Sequence, residues 1–330
     1  MPLPHSETGA VSATRRRVLI GTVLVVLGLA GAGLYVANDA ETLLSLAIRK
    51  ERSAAALEER SLTLLRHDIV YLDGGDPSGD PILLIHGFSA DKDNWTRMNR
   101  FLADAGFRVI APDLPGHGQS SRLPDHQYSI PNQVAFVQAF VTSLDLPPVH
   151  VIGNSMGGHI AGGFAALHPE LVRSVALLAA SGVTAPEKAE RFVIMEETGT
   201  NPLLVEDVED FDRLLGFLFV EKPPMPGVVK QYFADHAVAN RAFNDKIYAD
   251  LLAPDSLLPL EPLLPRITMP ALILWGDTDR ALHPSGAEVF AAGLPHAERV
   301  TMTACGHSPM IERPEETARH YLAFLAGVDD

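Results

Sequence analysis

Cysteine is almost missing from this chain: among 330 residues only Cys305 carries a thiol. One thiol cannot close an intramolecular disulfide, so no cystine framework holds the fold, and the redox compartment cannot be read from cysteine usage. Its plainest reading is a small buried apolar residue. Basic residues are also scarce, with 26 Lys and Arg against 41 Asp and Glu and a net charge of −15. No basic stripe runs through the body of the chain, and this balance argues against nucleic acid as a partner. There is no His-Glu-x-x-His, no paired Cys-x-x-Cys and no phosphate loop, so nothing calls for a metal or a cofactor. Repeats and low-complexity tracts are absent too. The chain has ample apolar substance, at 47% hydrophobic and 20% charged residues, as an ordinary folded enzyme does. Its length suits one large α/β domain with an insertion, or two smaller domains.

The N-terminus differs from the rest. Val18 to Ala37 holds no charged residue, enough for about 30 Å of helix, the thickness of a bilayer's hydrocarbon core. Arg15, Arg16 and Arg17 precede it and favour a cytoplasmic tail (1–17) with the body translocated across the inner membrane to face the periplasm or outside. Arg49, Lys50 and Arg52 weigh on the other side. The same arginines resemble a twin-arginine export signal, and Ala30-Gly31-Ala32 offers a cleavage site. The apolar run is long for such a signal, which favours an uncleaved single-pass anchor over 18–37. Gly28 with Ala32, and Gly33 with Ala37, could pair two such helices into a homodimer. A juxtamembrane helix is expected over 38–60, with Leu43, Leu44, Ala47 and Ile48 on one face. It would lie on the catalytic domain or the membrane, or serve as a solvated connector.

From Leu62 onward strands and helices alternate, the pattern of a mostly parallel sheet covered on both faces. Strands are expected at 62–71, as one or two, and at Ile82–Ile85, Phe107–Ala111, Val149–Ile152, Val172–Leu178, Ala271–Trp275 and Arg299–Met302. Helices are expected at Trp95–Ala105, Pro131–Leu144, Met156–Leu167, Ser285–Ala292 and Glu315–Ala326. The alternation divides the body into a core (61–182 and 267–330) and a strandless insert (183–266), which is punctuated by proline and rich in large apolar groups. The insert reads as a helical cap over the C-terminal edge of the sheet, where open α/β folds bind ligands. Phe211, Leu215 and Phe219 are its candidate substrate-binding residues.

The stretch that organises the chain is Gly153-Asn154-Ser155-Met156-Gly157, set between the strand at 149–152 and a helix. A serine with glycines two residues away on both sides, between strand and helix, is the nucleophile-elbow pattern. The turn is so tight that a Cβ at either glycine would collide with a neighbouring strand or helix. Ser155 is a poor nucleophile unless a base takes its proton and a carboxylate orients that base. With 13 histidines in the chain, counting does not choose among them, but position does. His307, in Cys305-Gly306-His307-Ser308-Pro309, follows the last expected strand. The acid should follow the strand before it, where Asp277 and Asp279 are both available. Phe88, in Ile85-His86-Gly87-Phe88, and Met156 offer two backbone N–H groups for an oxyanion hole. His86 reads as a holder of that loop.

Five stretches, His86-Gly87-Phe88, 113–120 (Asp-Leu-Pro-Gly-His-Gly-Gln-Ser), 153–157, Trp275–Asp279 and Gly306–Pro314, together resemble the α/β-hydrolase superfamily, in its usual order. More narrowly, 86–95 and Gly306-His307-Ser308 with Glu312-Arg313-Pro314 resemble membrane-anchored monoacylglycerol lipases and bacterial membrane-bound phospholipases A. The likeness covers about 62–325, and no cap motif enters it. It implies an α/β-hydrolase fold with a catalytic triad of Ser155, His307 and, as the last aspartate of Gly-x-x-Asp, Asp279. It also implies hydrolysis of lipid esters through an acyl-enzyme, without cofactor. Asp113 and His117 match a loop that is structural in the family. Hydrolysis of a small ester or of a C–C bond on the same fold is the alternative, and a non-catalytic binding module a further one.

Overall fold

The computed structural model describes residues 39–294 and 296–328. The tail (1–17), the apolar span (18–37) and any pairing of two spans lie outside the described residues. Among those described, no helix is long and apolar enough to cross a membrane.

One eight-stranded sheet forms the body. Its strands are β1 (Glu58–Leu64), β2 (His67–Gly75), β3 (Pro81–Ile85), β4 (Arg108–Pro112), β5 (Val149–Asn154), β6 (Val172–Leu178), β7 (Ala271–Gly276) and β8 (Ala297–Met302). They lie in the order β1-β2-β4-β3-β5-β6-β7-β8. β2 runs antiparallel to β1 and β4, and the remaining neighbours are parallel. The helices are α1 (Ala40–Ala54), α2 (Thr96–Asp104), α3 (Ile130–Ser143), α4 (Met156–Leu167), α5 (Glu190–Thr198), α6 (Val208–Leu218), α7 (Gly227–Ala239), α8 (Arg241–Leu252), α9 (Gly286–Gly293), α10 (Pro309–Glu312) and α11 (Pro314–Val328).

The central strands are continuous apolar runs because both faces of the sheet are covered. Within β3, alternate residues point to opposite sides. Leu83 and Ile85 join Phe136 and Phe140 of α3, Ile160 and Phe164 of α4 and Phe290 of α9. Ile82 and Leu84 join Met98 and Leu102 of α2 with Tyr321 and Phe324 of α11. Cys305 lies in this second cluster, where burial, with the Glu312 carboxylate adding to it, pushes its thiol up to about 12. It is the inert apolar residue the sequence suggests.

The juxtamembrane helix is shorter than the expected 38–60. α1 ends at Ala54, and Glu58, Glu59 and Arg60 belong to β1, so the core begins before residue 61. β1 is an edge strand whose residues are mostly exposed, so no apolar alternation marks it in the sequence. The hairpin to β2 turns on Leu65 and Arg66, both left-handed (φ 50° and 73°), in residues that carry no turn signal. α1 packs against α2 and the cap helix α7.

Asp113, in the loop after β4, accepts from the Lys92 backbone N–H (2.8 Å), Lys92 Nζ (2.9 Å) and the Gln119 N–H (2.8 Å). Both side chains are buried, and the remaining hydrogen bonds of Lys92 Nζ go to Gln119 Oε1. Such a pair fixes the loop more than it stabilises the fold. Its by-product is Asp91, whose carboxyl is pushed up to about 7 by burial and by the nearby Asp113 and Asp93. A carboxyl that holds its proton more tightly folded than unfolded makes stability fall as pH rises between about 4 and 7. Asp91→Asn keeps the oxygen that accepts the Asp93 N–H (2.9 Å). It should therefore raise the melting temperature by a few degrees at pH 8, with the gain gone by pH 4. Scanning calorimetry at the two pH values checks this.

The insert read as a cap holds four α-helices (α5 to α8) between β6 and β7, with no strand among them. Asp207 caps α6 by accepting the Asp210 N–H (2.8 Å), and Gly199 closes α5 in a left-handed turn (φ 70°).

Candidate active site

Phe88, Ser155, Asp279 and His307 follow the C-terminal ends of β3, β5, β7 and β8, so parallel strands deliver them to one edge of the sheet. Ser155 stands at φ 58°, ψ −118°, a left-handed conformation strained for a serine. Two glycines permit it. A Cβ on Gly153 would come within 2.1 Å of the Gly157 carbonyl oxygen, and one on Gly157 within 2.1 Å of the Ile85 carbonyl oxygen. Although Ser155 opens α4, its hydroxyl makes no capping hydrogen bond to the helix, unlike an ordinary serine N-cap. The Met156 N–H is the first of the helix's free donors.

His86 and Gly87 shape the opposite wall. The Leu114 N–H donates to His86 Nε2 (3.0 Å), so the proton of the neutral ring sits on Nδ1, which donates to the Gly87 carbonyl (2.8 Å). Burial holds the ring's pKa below its ordinary value. Because the peptide is planar and trans, a Gly87 carbonyl drawn toward His86 turns the Phe88 N–H the other way. A Cβ on Gly87 would come within 3.3 Å of Ser155 Cβ, so this loop runs directly against the serine.

His307 Nδ1 and Asp279 Oδ2 are 2.8 Å apart, with both side chains almost wholly buried. The carboxylate accepts only, so Nδ1 carries the proton and Nε2 keeps its lone pair. Asp279 is fully occupied: Oδ2 also accepts from Trp275 Nε1 (3.0 Å), and Oδ1 accepts the N–H groups of Ala281 (2.8 Å) and Leu282 (3.0 Å). Asp277 faces elsewhere, accepting from Thr278 Oγ1 (2.8 Å) and the Ala304 N–H (2.7 Å). Asn154 ties the elbow to the histidine loop, its Nδ2 donating to the carbonyls of His307 (3.0 Å) and Leu178 (3.1 Å).

Phe211, Leu215 and Phe219 lie on α6 and just after it, and the last residue of that helix, Leu218, touches the His307 loop. They are buried in the cap's own cluster with Val205 and Ala234, against which Ile311 of α10 packs. Further residues approach the constellation. The Tyr248 ring of α8 lies 5.6 Å from that of Phe88, and Asn244 donates to Ser89 Oγ (3.0 Å). Leu218, at the end of α6, accepts the His307 N–H (2.8 Å). Arg280, next to Asp279, makes a bidentate pair with Glu190 (2.6 Å for each contact) and donates to the Gly216 carbonyl (3.0 Å). Tyr248 and Asn244 sit in no recognisable motif, so only their placement reveals them.

The model of the α/β hydrolase fold matches residues 80–314. The chain belongs to this family. Among curated proteins it is 34% identical over 286 residues to lipase 3 of Moraxella sp. (strain TA144), covering 85% of this chain and 89% of that one. It is 32% identical over 271 residues to monoacylglycerol lipase ABHD6 of Mus musculus, covering 79% and 80%. Among solved structures, a membrane phospholipase A described as a bacterial virulence factor is 45% identical, with a TM-score of 0.85 over 96% of this chain and 99% of that one.

Proposed function

We propose that this α/β hydrolase is a membrane-anchored serine hydrolase that cleaves acyl esters of lipids. The observation that carries the reading is the buried His307–Asp279 pair (2.8 Å), tied through Asn154 (3.0 Å) to the elbow of a strained Ser155 whose hydroxyl caps nothing. The lipase, monoacylglycerol lipase and phospholipase relatives supply the substrate class.

The ester carbonyl lies between the N–H groups of Phe88 and Met156. Ser155 Oγ attacks the carbonyl carbon while His307 Nε2 takes its proton, and the imidazolium that forms is held by Asp279. The oxyanion is met by the two N–H donors, each worth on the order of 10²–10³-fold in rate. His307 then protonates the leaving alcohol, and a water activated by the same imidazole releases the fatty acid from the acyl-enzyme. His86 orients the Phe88 peptide and takes no proton.

The acyl chain lies beneath the cap, where Ile311 beside the His307 loop meets the cluster of Phe211, Leu215 and Phe219. The apolar span (18–37) anchors the chain in the inner membrane. α1, which packs on cap helix α7, keeps the cap near the lipid. Burial of an acyl methylene is worth about 0.8 kcal/mol, so kcat/KM should climb from acetyl to medium-chain esters and then level off or fall. The test is a panel of monoacylglycerols, lysophospholipids, diacyl phospholipids and p-nitrophenyl esters of graded length, below their micellar concentrations, with Ser155→Ala as the blank. A preference for acetyl over octanoyl esters would instead favour a small-ester hydrolase.

A further inference from the structure

Among the described residues, Arg191 near the active site makes no ion pair and no side-chain hydrogen bond. Arg191 is the second residue of the cap helix α5, and its backbone N–H donates to the carbonyl of Arg280 (3.2 Å), so the first turn of α5 rests on the residue after Asp279. Its side chain points inward. Nε is buried with no hydrogen-bond partner, and burial holds the guanidinium's pKa below its ordinary value against the opposing pull of Asp279. Tyr248 marks the place: its ring lies against Phe88 (5.6 Å), and its hydroxyl donates to Met195 Sδ (3.7 Å), one helical turn beyond Arg191. Arg191 therefore sits where the acid loop, the oxyanion loop and two cap helices converge.

The neighbouring carboxylates cannot serve it. Asp279 already accepts four hydrogen bonds through its two oxygens, and Glu190 is held by Arg280 through both of its own. The guanidinium carbon lies 4.3 Å from the centroid of the Phe192 ring, a contact that fills none of its N–H donors. A desolvated cation with unfilled donors is costly to maintain, and a planar fork of donors matches two oxygens of one anion.

We propose that Arg191 binds an anionic oxygen pair of the substrate's head group, the phosphodiester of a glycerophospholipid or lysophospholipid whose acyl ester lies at Ser155. The inference rests on the lipid-ester reading above and narrows it: a neutral monoacylglycerol brings nothing for Arg191 to hold, whereas a phosphodiester does. The residue acts in recognition, leaving the chemical step to the groups around Ser155.

The experiment compares kcat/KM for dodecanoyl lysophosphatidylglycerol and monododecanoylglycerol, both as monomers, in the full-length wild type and in Arg191→Gln, Arg191→Lys and Arg191→Glu. Fluorophosphonate labelling of Ser155 reports that each variant is folded. A lost charge-assisted contact should lower the phospholipid-to-glyceride ratio about 10–100-fold in Arg191→Gln, mainly through KM. The ratio should fall further in Arg191→Glu and recover in part in Arg191→Lys. A ratio that stays within about twofold of wild type in Arg191→Gln and Arg191→Glu, whether both rates fall together or neither does, overturns the role of Arg191 and leaves the lipid-esterase reading standing. A labelled wild type that cleaves neither lipid removes both.

Discussion

Replacing Ser155 with alanine should lower ester hydrolysis by about 10⁶-fold, the scale on which loss of a serine nucleophile acts, and abolish labelling by a fluorophosphonate. The fold should not suffer. The hydroxyl caps no helix N–H, and alanine meets the backbone at φ 58° with the same Cβ. The turn is otherwise secured by backbone bonds: the Ser155 N–H donates to the Leu178 carbonyl (3.0 Å), and the Ser155 carbonyl accepts from His159 (3.1 Å) and Ser181 (3.1 Å). A side chain that contributes nothing to a strained turn is best explained by chemistry, and the strain itself is compensated by the surrounding sheet. Unaltered melting with activity and labelling both lost is the expected pattern. Retained labelling in a folded Ser155→Ala protein would assign the nucleophile elsewhere.

The second large effect concerns the acid. Asp279→Asn should cost about 10⁴-fold in kcat/KM, for a reason visible in the hydrogen bonds. Oδ1 accepts two backbone N–H groups, from Ala281 and Leu282, so an asparagine must place its carbonyl there. Its NH₂ then replaces Oδ2 and meets His307 Nδ1. The imidazole can answer only by moving its proton to Nε2, which leaves no lone pair for the Ser155 proton. Trp275 Nε1, displaced from the same oxygen, retains the Leu282 carbonyl at 3.1 Å, so the loop itself survives. Asp277→Asn keeps an oxygen for Thr278 and Ala304 and should change the rate only a few-fold. Steady-state kinetics on both variants decides between them, and reversed magnitudes would reassign the acid.

Much of this arrangement is legible in the chain because steric need and spacing coincide. Gly153 and Gly157 are written into the elbow by contacts of 2.1 Å that no Cβ could tolerate. The strands at 81–85 and 271–276 are unbroken apolar runs because both their faces are covered. The first half of β1, before the strands expected from residue 62, is hidden for the opposite reason, since an exposed edge strand has no apolar face to announce it. The choice between Asp277 and Asp279 was open on residue type alone and rested on resemblance. What separates them is depth, one lying on the surface loop and the other under His307.

The cap was legible only as a cap. Its apolar run at 211–219 reads as substrate-binding, and these side chains pack as a cluster of their own against Ile311. Arg191, Tyr248 and Asn244 reach the site from two helices that no spacing rule links to Ser155. Arg280 is similar: its pairing with Glu190 joins residues ninety positions apart. Such contacts arise from how the cap docks, which local sequence does not encode.

The central claim is that Ser155 carries the acyl group of a lipid ester during turnover. Mixing the protein with a dodecanoyl ester, quenching in acid within the first turnovers and mapping the peptides by mass spectrometry tests it most directly. A dodecanoyl adduct on Ser155, missing from Ser155→Ala, is the expected result; turnover with no adduct there, or with the adduct on another residue, would contradict it.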